Sequence, residues 1–253
     1  MNQNKRFHNI PTSSESKIMR SVILTHSMYQ DAEVLYPYYR LQEEGTVIVA
    51  AEVVGKIRGI QGMEIMSNMT TSALNTSDDN YLETFDLLVL PGGVKAMEKL
   101  RQDQHALTFV KRWADANKPI ASICSGAQML ISARVPLHGR HLAAYPAMAV
   151  DVENAGAVFV NEPVVVDGNI ISSPHYNHLA VWMKSAIEHT SKWCSTDNDT
   201  TLKSTLTEYA TLMKFYGATS VRELIGAQAK HVNKLQEKLP PIRDTQPINY
   251  RQG

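Results

Sequence analysis

The chain has 253 residues, 43% of them hydrophobic, and its 25 Lys plus Arg are balanced by 25 Asp plus Glu. Zero formal net charge, with neither half of the chain strongly basic, argues against an electrostatic footprint for nucleic acid or an anionic membrane surface. No apolar run approaches the roughly 18–20 residues of a membrane span, the N-terminal stretch lacks the apolar segment of a signal peptide, and two cysteines make no disulfide framework, so the expectation is a soluble cytoplasmic protein.

Residues 1–20 are mostly polar and aperiodic and are expected to form a flexible arm. The run SVILT, Ser21 to Thr25, reads as a first strand. DAEVLYPYYRLQEEG follows with Val34, Leu35, Tyr38, Tyr39 and Leu41 near helical spacing; Pro37 is expected to kink or restart that helix, and Gly45 to close it. TVIVAAEV and Phe85 to Leu90 read as further strands, the second nearly continuous in apolar residues, as in a strand buried on both faces. A helix is predicted from Asp103 to Asn117, with Leu107, Val110 and Trp113 near one face; PIASIC then reads as a strand and SGAQMLISA as a helix. Short apolar runs follow, AVFV, PVVVDGN and IISS, with Asp167-Gly168 marking a hairpin. LAVWMKSAIEHTSKW is the closing amphipathic helix of this part.

Strands alternating with helices predict a mainly parallel sheet covered on both sides. The α/β domain is expected over residues 21–193 and a polar linker over 194–201. Residues 202–253 read as a C-terminal helical extension, with Leu202, Leu206, Tyr209, Leu212, Met213 and Tyr216 three and four apart.

KPIASICSGAQML places Cys124 between a buried strand and the start of a helix. A sharp strand-to-helix turn lifts its central side chain out of the sheet and directs backbone N–H groups towards it, which suits a nucleophile and favours a thiolate. The alternative is a small buried hydrophobe. Gly92 and Gly93 in LPGG make a tight turn after a strand and present further N–H donors. His175 in SSPHYNH follows the last strand, at the edge where open α/β sheets bind ligands. His26 also stands at a strand end, His178 reads as a helix-start histidine, and Cys194 has no such turn around it.

Four pieces in order, YPYYRLQEEG, DLLVLPGG, KPIASICSGAQML and YPAMAVDVENAGAVFVNEPVVVDGNIISS, resemble the PfpI (ThiJ/PfpI) family of the class I glutamine amidotransferase-like superfamily. The resemblance implies a flavodoxin-like three-layer sandwich, a nucleophilic cysteine at Cys124, a homodimer or higher homo-oligomer, and no cofactor or metal. It also implies that Gly93 and Ser125 supply oxyanion-hole N–H groups, with Gly92 beside them and Tyr145 lining the pocket. Two positions depart from the pattern. Where many members carry a glutamate that partners the cysteine, counting along the motif gives Gln30, which cannot shuttle a proton; Asp31 or Glu33 substitutes only if the loop is shifted, each otherwise reading as a solvated or helix-N-terminal charge. Ser125 stands where members have a histidine, so His175 is the candidate imidazole, as related amidotransferases place their catalytic histidine in a comparable loop.

The expected function is therefore a cysteine-dependent hydrolase, hydratase or lyase acting on a small electrophilic carbon, a carbonyl, imine or nitrile-like group. The alternative is a non-catalytic or redox-responsive protein using Cys124 as an oxidisable thiol. A peptidase ranks third. The expected partners are a small-molecule substrate and a second copy of the chain.

Overall fold

Three four-residue strands, LLVL, IASI and IISS, build the centre of the sheet, and every residue in them is buried, as in a sheet covered on both sides. The structure is a computed structural model that describes residues 18–75 and 81–195. The chain divides between Cys194 and Ser195 into two units. The expected arm up to residue 17, the linker from residue 196 and the helical extension of 202–253 lie outside the described residues.

The elements run in order as β1 (Met19–Leu24), α1 (Asp31–Gln42), β2 (Gly45–Ala51), β3 (Gly55–Arg58), β4 (Glu64–Ser67), β5 (Met69–Thr70) and α2 (Tyr81–Thr84). Next come β6 (Leu87–Leu90), α3 (Val94–Leu100), α4 (Gln104–Asp115), β7 (Ile120–Ile123) and, after a single 3-10 turn at Cys124–Gly126, α5 (Ala127–Ser132). The domain ends with β8 (His141–Leu142), α6 (Ala149–Asn154), β9 (Val158–Phe159), β10 (Val165–Asp167), β11 (Ile170–Ser173) and a helix α7 over 179–195.

Seven strands form one sheet in the order β10-β11-β7-β6-β1-β2-β5, parallel except for the β10–β11 hairpin. This is the expected flavodoxin-like arrangement, a mainly parallel sheet with helices. Asp167 pairs with Ile170 at the hairpin end, with Gly168 at φ 53, so the Asp-Gly signal marks a real turn. α4 shows how local chemistry sets an element. Asp103 caps it by accepting from the His105 and Ala106 N–H groups, while Ala106, Phe109, Val110 and Trp113 form the buried stripe.

The first helix corrects an expectation. Pro37 does not restart it: α1 runs from Asp31 to Gln42, and Pro37 is buried on one stripe with Glu33, Val34 and Leu41, while Tyr39 faces out. The pyrrolidine forfeits one backbone hydrogen bond but fills core space. The structure adds β3, β4, β5 and α3 to the expected elements. β3 and β4 form a separate two-stranded hairpin with alternating exposure, and α3 is only seven residues long.

The strand order fixes where a ligand site can form. From β1 the chain moves to β2 on one side and later to β6 on the other, so the connections diverge between β1 and β6. The loops leaving the carboxyl ends of β1, β6 and β7 converge there, at a topological switch point.

Candidate active site

The loop after β7 is Cys124 itself. Ile123 is extended at φ −137 and ψ 146, and Cys124 turns abruptly to φ 57, a left-handed conformation that costs free energy in a non-glycine residue and persists only when the surroundings impose it. The surroundings do so. Gly126 packs so tightly on β6 that a side-chain carbon there would lie 2.2 Å from the Leu90 carbonyl oxygen. On the other side the Cys124 carbonyl accepts from Tyr145 N–H at 3.1 Å. The half-buried thiol is thus held at the head of the turn expected from the sequence.

The loop after β1 brings in the partner. Gln30 N–H donates to the Gly92 carbonyl at 3.1 Å, and the Gln30 side chain accepts from Ala32 N–H at 3.3 Å, capping α1. Asp31 accepts from Gln61 N–H at 2.7 Å and Met63 N–H at 2.8 Å, and so staples the loop before β4. Glu33, one turn further in and fully buried, lays its carboxyl on the glycine turn after β6, where Oε2 accepts from Gly92 N–H at 2.7 Å. Its Oε1 is buried without a hydrogen-bond partner, and the Cys124 thiol interacts with the same carboxyl.

The carboxyl beside the cysteine is therefore Glu33. The assignment of a glutamine to that position is corrected: Gln30 is a helix cap. Counting along the motif placed the loop three residues early. A clue lay in the chain itself, because Glu33 shares a helical stripe with Val34, Pro37 and Leu41, and an acid on a buried stripe is a functional flag.

Burial pushes the Glu33 carboxyl up to about 7, against the pull of Gly92 N–H and the thiol hydrogen bond. Burial first, and then the Glu33 charge, push the Cys124 thiol up to about 12, while hydrogen bonding from the Ser125 backbone and side chain pulls it down. Burial and the Glu33 charge thus act against the N–H groups that were expected to favour the thiolate. The two groups are coupled: an ionised Glu33 opposes ionisation of the neighbouring thiol.

The expected oxyanion donors are differently engaged. Gly93, at φ 113, donates its N–H to Ser125 Oγ at 2.9 Å, and Gly92 N–H is committed to Glu33. Neither glycine N–H faces the sulfur as a free donor in this state. Ser125 N–H interacts with the thiol directly.

His175 is not the thiol's partner. Its Nδ1 accepts from Asn177 N–H at 3.2 Å to cap the turn before α7, which places the proton of the neutral ring on Nε2. The ring lies between Tyr145, 6.3 Å away between centroids, and Tyr176, 3.8 Å away. Since Tyr145 is also tied to Cys124 through its backbone, this aromatic stack borders the cysteine turn. His26 points elsewhere, with Nδ1 3.2 Å from the Ser27 carbonyl and 3.4 Å from Glu52. Cys194 Sγ lies 3.7 Å from Asp86, which precedes β6, so the second thiol sits at the opposite edge of the sheet. Among the described residues no group of three or more His, Cys, Asp or Glu side chains could hold a metal ion, and no helix is long and apolar enough to cross a membrane.

The profile of the DJ-1/PfpI family matches residues 19–189. A protein named as a deglycase in Pyrococcus abyssi is 40% identical over 171 residues, which are 67% of this chain and 98% of that protein. Protein/nucleic acid deglycase 2 of Escherichia coli is 34% identical over 167 residues, 65% of this chain and 94% of that one. Among solved structures, an Anabaena variabilis protein containing DJ-1/ThiJ/PfpI-like and ferritin-like domains aligns with a TM-score of 0.62 at 28% identity, over 68% of this chain and 48% of that chain.

Proposed function

Because the chain belongs to the DJ-1/PfpI family, we propose that it is a cysteine-dependent enzyme that acts on adducts of small reactive carbonyl compounds, with Cys124 as nucleophile and Glu33 as its proton partner. The observation that carries this reading is the buried Glu33 carboxyl, raised to about 7 and set against the thiol on the cysteine turn. A group poised near neutrality both accepts and returns a proton with little driving force lost, which is worth about 10²–10⁴ in rate. The names of the relatives, a deglycase in one case and a protein/nucleic acid deglycase in the other, support the same substrate class.

In the proposed first step Cys124 Sγ bonds to the carbonyl carbon, the C=O π pair moves to oxygen, and the thiol proton passes to ionised Glu33. Ser125 N–H lies at the turn where the developing oxyanion forms. Glu33 then returns the same proton to that oxygen, completing a neutral thiohemiacetal. Proton transfer in concert with attack spares the enzyme from forming a free thiolate, which this site disfavours. The thiol's partners, a carboxyl and a serine, weigh against a cysteine–histidine peptidase.

The test follows release of free amine from the methylglyoxal adduct of an N-acetylated lysine. Wild-type protein and Cys194→Ser are expected to turn over, and Cys124→Ser and Glu33→Gln to lose nearly all activity. Wild-type turnover by Cys124→Ser would overturn the proposal.

A further inference from the structure

A cavity of about 230 Å³ lies between α5, α6 and the end of α3, and none of the residues placed at the cysteine site lines it. Helical spacing builds its walls. Gln128 and Ile131 are three apart on α5, as Asp151 and Asn154 are on α6, so each helix turns one face to the cavity. Arg101, the residue that ends α3, also lines it, and Met148, 5% exposed, adds apolar surface beside half-buried Ile131. The polar groups around it have bonding capacity left. Arg101 Nε donates to Ser132 Oγ at 3.0 Å, which orients the guanidinium and leaves its two terminal nitrogens without a partner among the described residues. The Asp151 and Asn154 side chains make no hydrogen bond or ion pair among the described residues. Gln128 Oε1 is buried with no hydrogen-bond partner, a costly condition for an acceptor.

We propose that this cavity binds a free α-amino acid with an apolar side chain, its carboxylate on Arg101, its ammonium on Asp151 with the Asn154 and Gln128 amide oxygens, and its side chain against Ile131 and Met148. The two charges decide the class of ligand. Arg101 and Asp151 line one cavity without pairing with each other, so a ligand of a single sign is attracted by one and repelled by the other. A zwitterion satisfies both. Direct closure of two exposed charges gains little in water, whereas a bound carboxylate takes two parallel bonds from a guanidinium. The ammonium brings three donors, one of which supplies what Gln128 Oε1 lacks. The volume is below the roughly 300–1,000 Å³ of pockets for drug-sized ligands, which suits a molecule this small.

The experiment is calorimetric titration of the full chain, near neutral pH, with L-leucine, with isocaproate, which is leucine without its ammonium, and with isoamylamine, which is leucine without its carboxylate. Leucine is expected to bind with a dissociation constant below about 1 mM. Each analogue loses one charge-assisted contact and is expected to bind about tenfold more weakly or worse. Asp151 and Arg101 are exposed, so Asp151→Asn and Arg101→Gln are expected to keep the wild-type melting temperature and to weaken leucine by a similar factor. In Asp151→Asn the ammonium has lost its counter-charge, and leucine and isocaproate are expected to bind alike, a result that a merely structural aspartate would not give. Cys124→Ser is expected to bind leucine as the wild type does. Absence of leucine binding, equal affinity for the singly charged analogues, an Asp151→Asn protein that still prefers leucine to isocaproate, or loss of binding in Cys124→Ser would each overturn the proposal.

Discussion

Glu33 and Cys124 meet across Gly92: a side-chain carbon at that glycine would lie 2.5 Å from Glu33 Oε2 and 2.9 Å from Cys124 Cβ. The absence of a side chain is what lets an acid on α1 reach a cysteine after β7. Gly92→Ala should therefore push the two groups apart without opening the sheet. An angstrom of misplacement between reacting groups costs on the order of 10²-fold in rate. Turnover is expected to fall by about that factor while circular dichroism stays native, and near-wild-type turnover would show that the close contact is not needed.

Glu33 should also shape the stability curve. Its pKa is about 7 in the folded protein against 4.5 for the free group, so the folded state binds the proton more tightly between those values. Stability linked to this proton is fully present below pH 4.5 and is lost as pH rises through about 7, in total about 3 kcal/mol. Glu33→Gln, which keeps an acceptor for Gly92 N–H, is expected to be more stable than wild type at pH 8 in urea unfolding and to lose this pH dependence. A less stable variant at pH 8 would contradict the buried-acid description.

Removing the Glu33 charge should separate thiol reactivity from catalysis. The carboxylate raises the thiol pKa, so Glu33→Gln is expected to alkylate at Cys124 several-fold faster than wild type at pH 9 while its turnover collapses. Faster alkylation with retained turnover would deny Glu33 its proton-transfer role.

Asp31 and Gln30, two and three positions before Glu33, should behave differently from it. Asp31→Ala strands two backbone N–H groups, Gln61 and Met63, and is expected to cost about 2–4 kcal/mol. Gln30→Ala removes one cap contact to Ala32 and is expected to cost under about 1 kcal/mol, with turnover within about twofold of wild type. A large loss of turnover in Gln30→Ala would restore that residue to the chemistry.

Much of the architecture is legible in the chain because β6, β7 and β11 are buried throughout and, with the Val22–Leu24 part of β1, carry short runs dominated by apolar residues. β8 and β9 are two residues each, and β3 and β4 are half exposed, so their periodicity is too short to stand out. Cys124 was legible for a chemical reason, a lone thiol at a strand-to-helix junction. Glu33 was not singled out because the loop before α1 sets the acid's position through the contacts of Gln30 and Asp31 with distant backbone, which no local pattern encodes. Likewise nothing in LPGG or CSG reveals that Gly93 N–H is spent on Ser125 Oγ.

The central claim is that one proton shared by Glu33 and Cys124 drives the reaction, and the pH dependence of kcat/KM for the methylglyoxal–lysine adduct tests it most directly. Wild-type activity is expected to rise with pH and level off near 7, as Glu33 ionises and can accept the thiol proton. Glu33→Gln is expected to be about 10²–10⁴-fold slower and to show no inflection there. A Glu33→Gln enzyme that keeps the wild-type rate and the inflection near 7 would contradict the account.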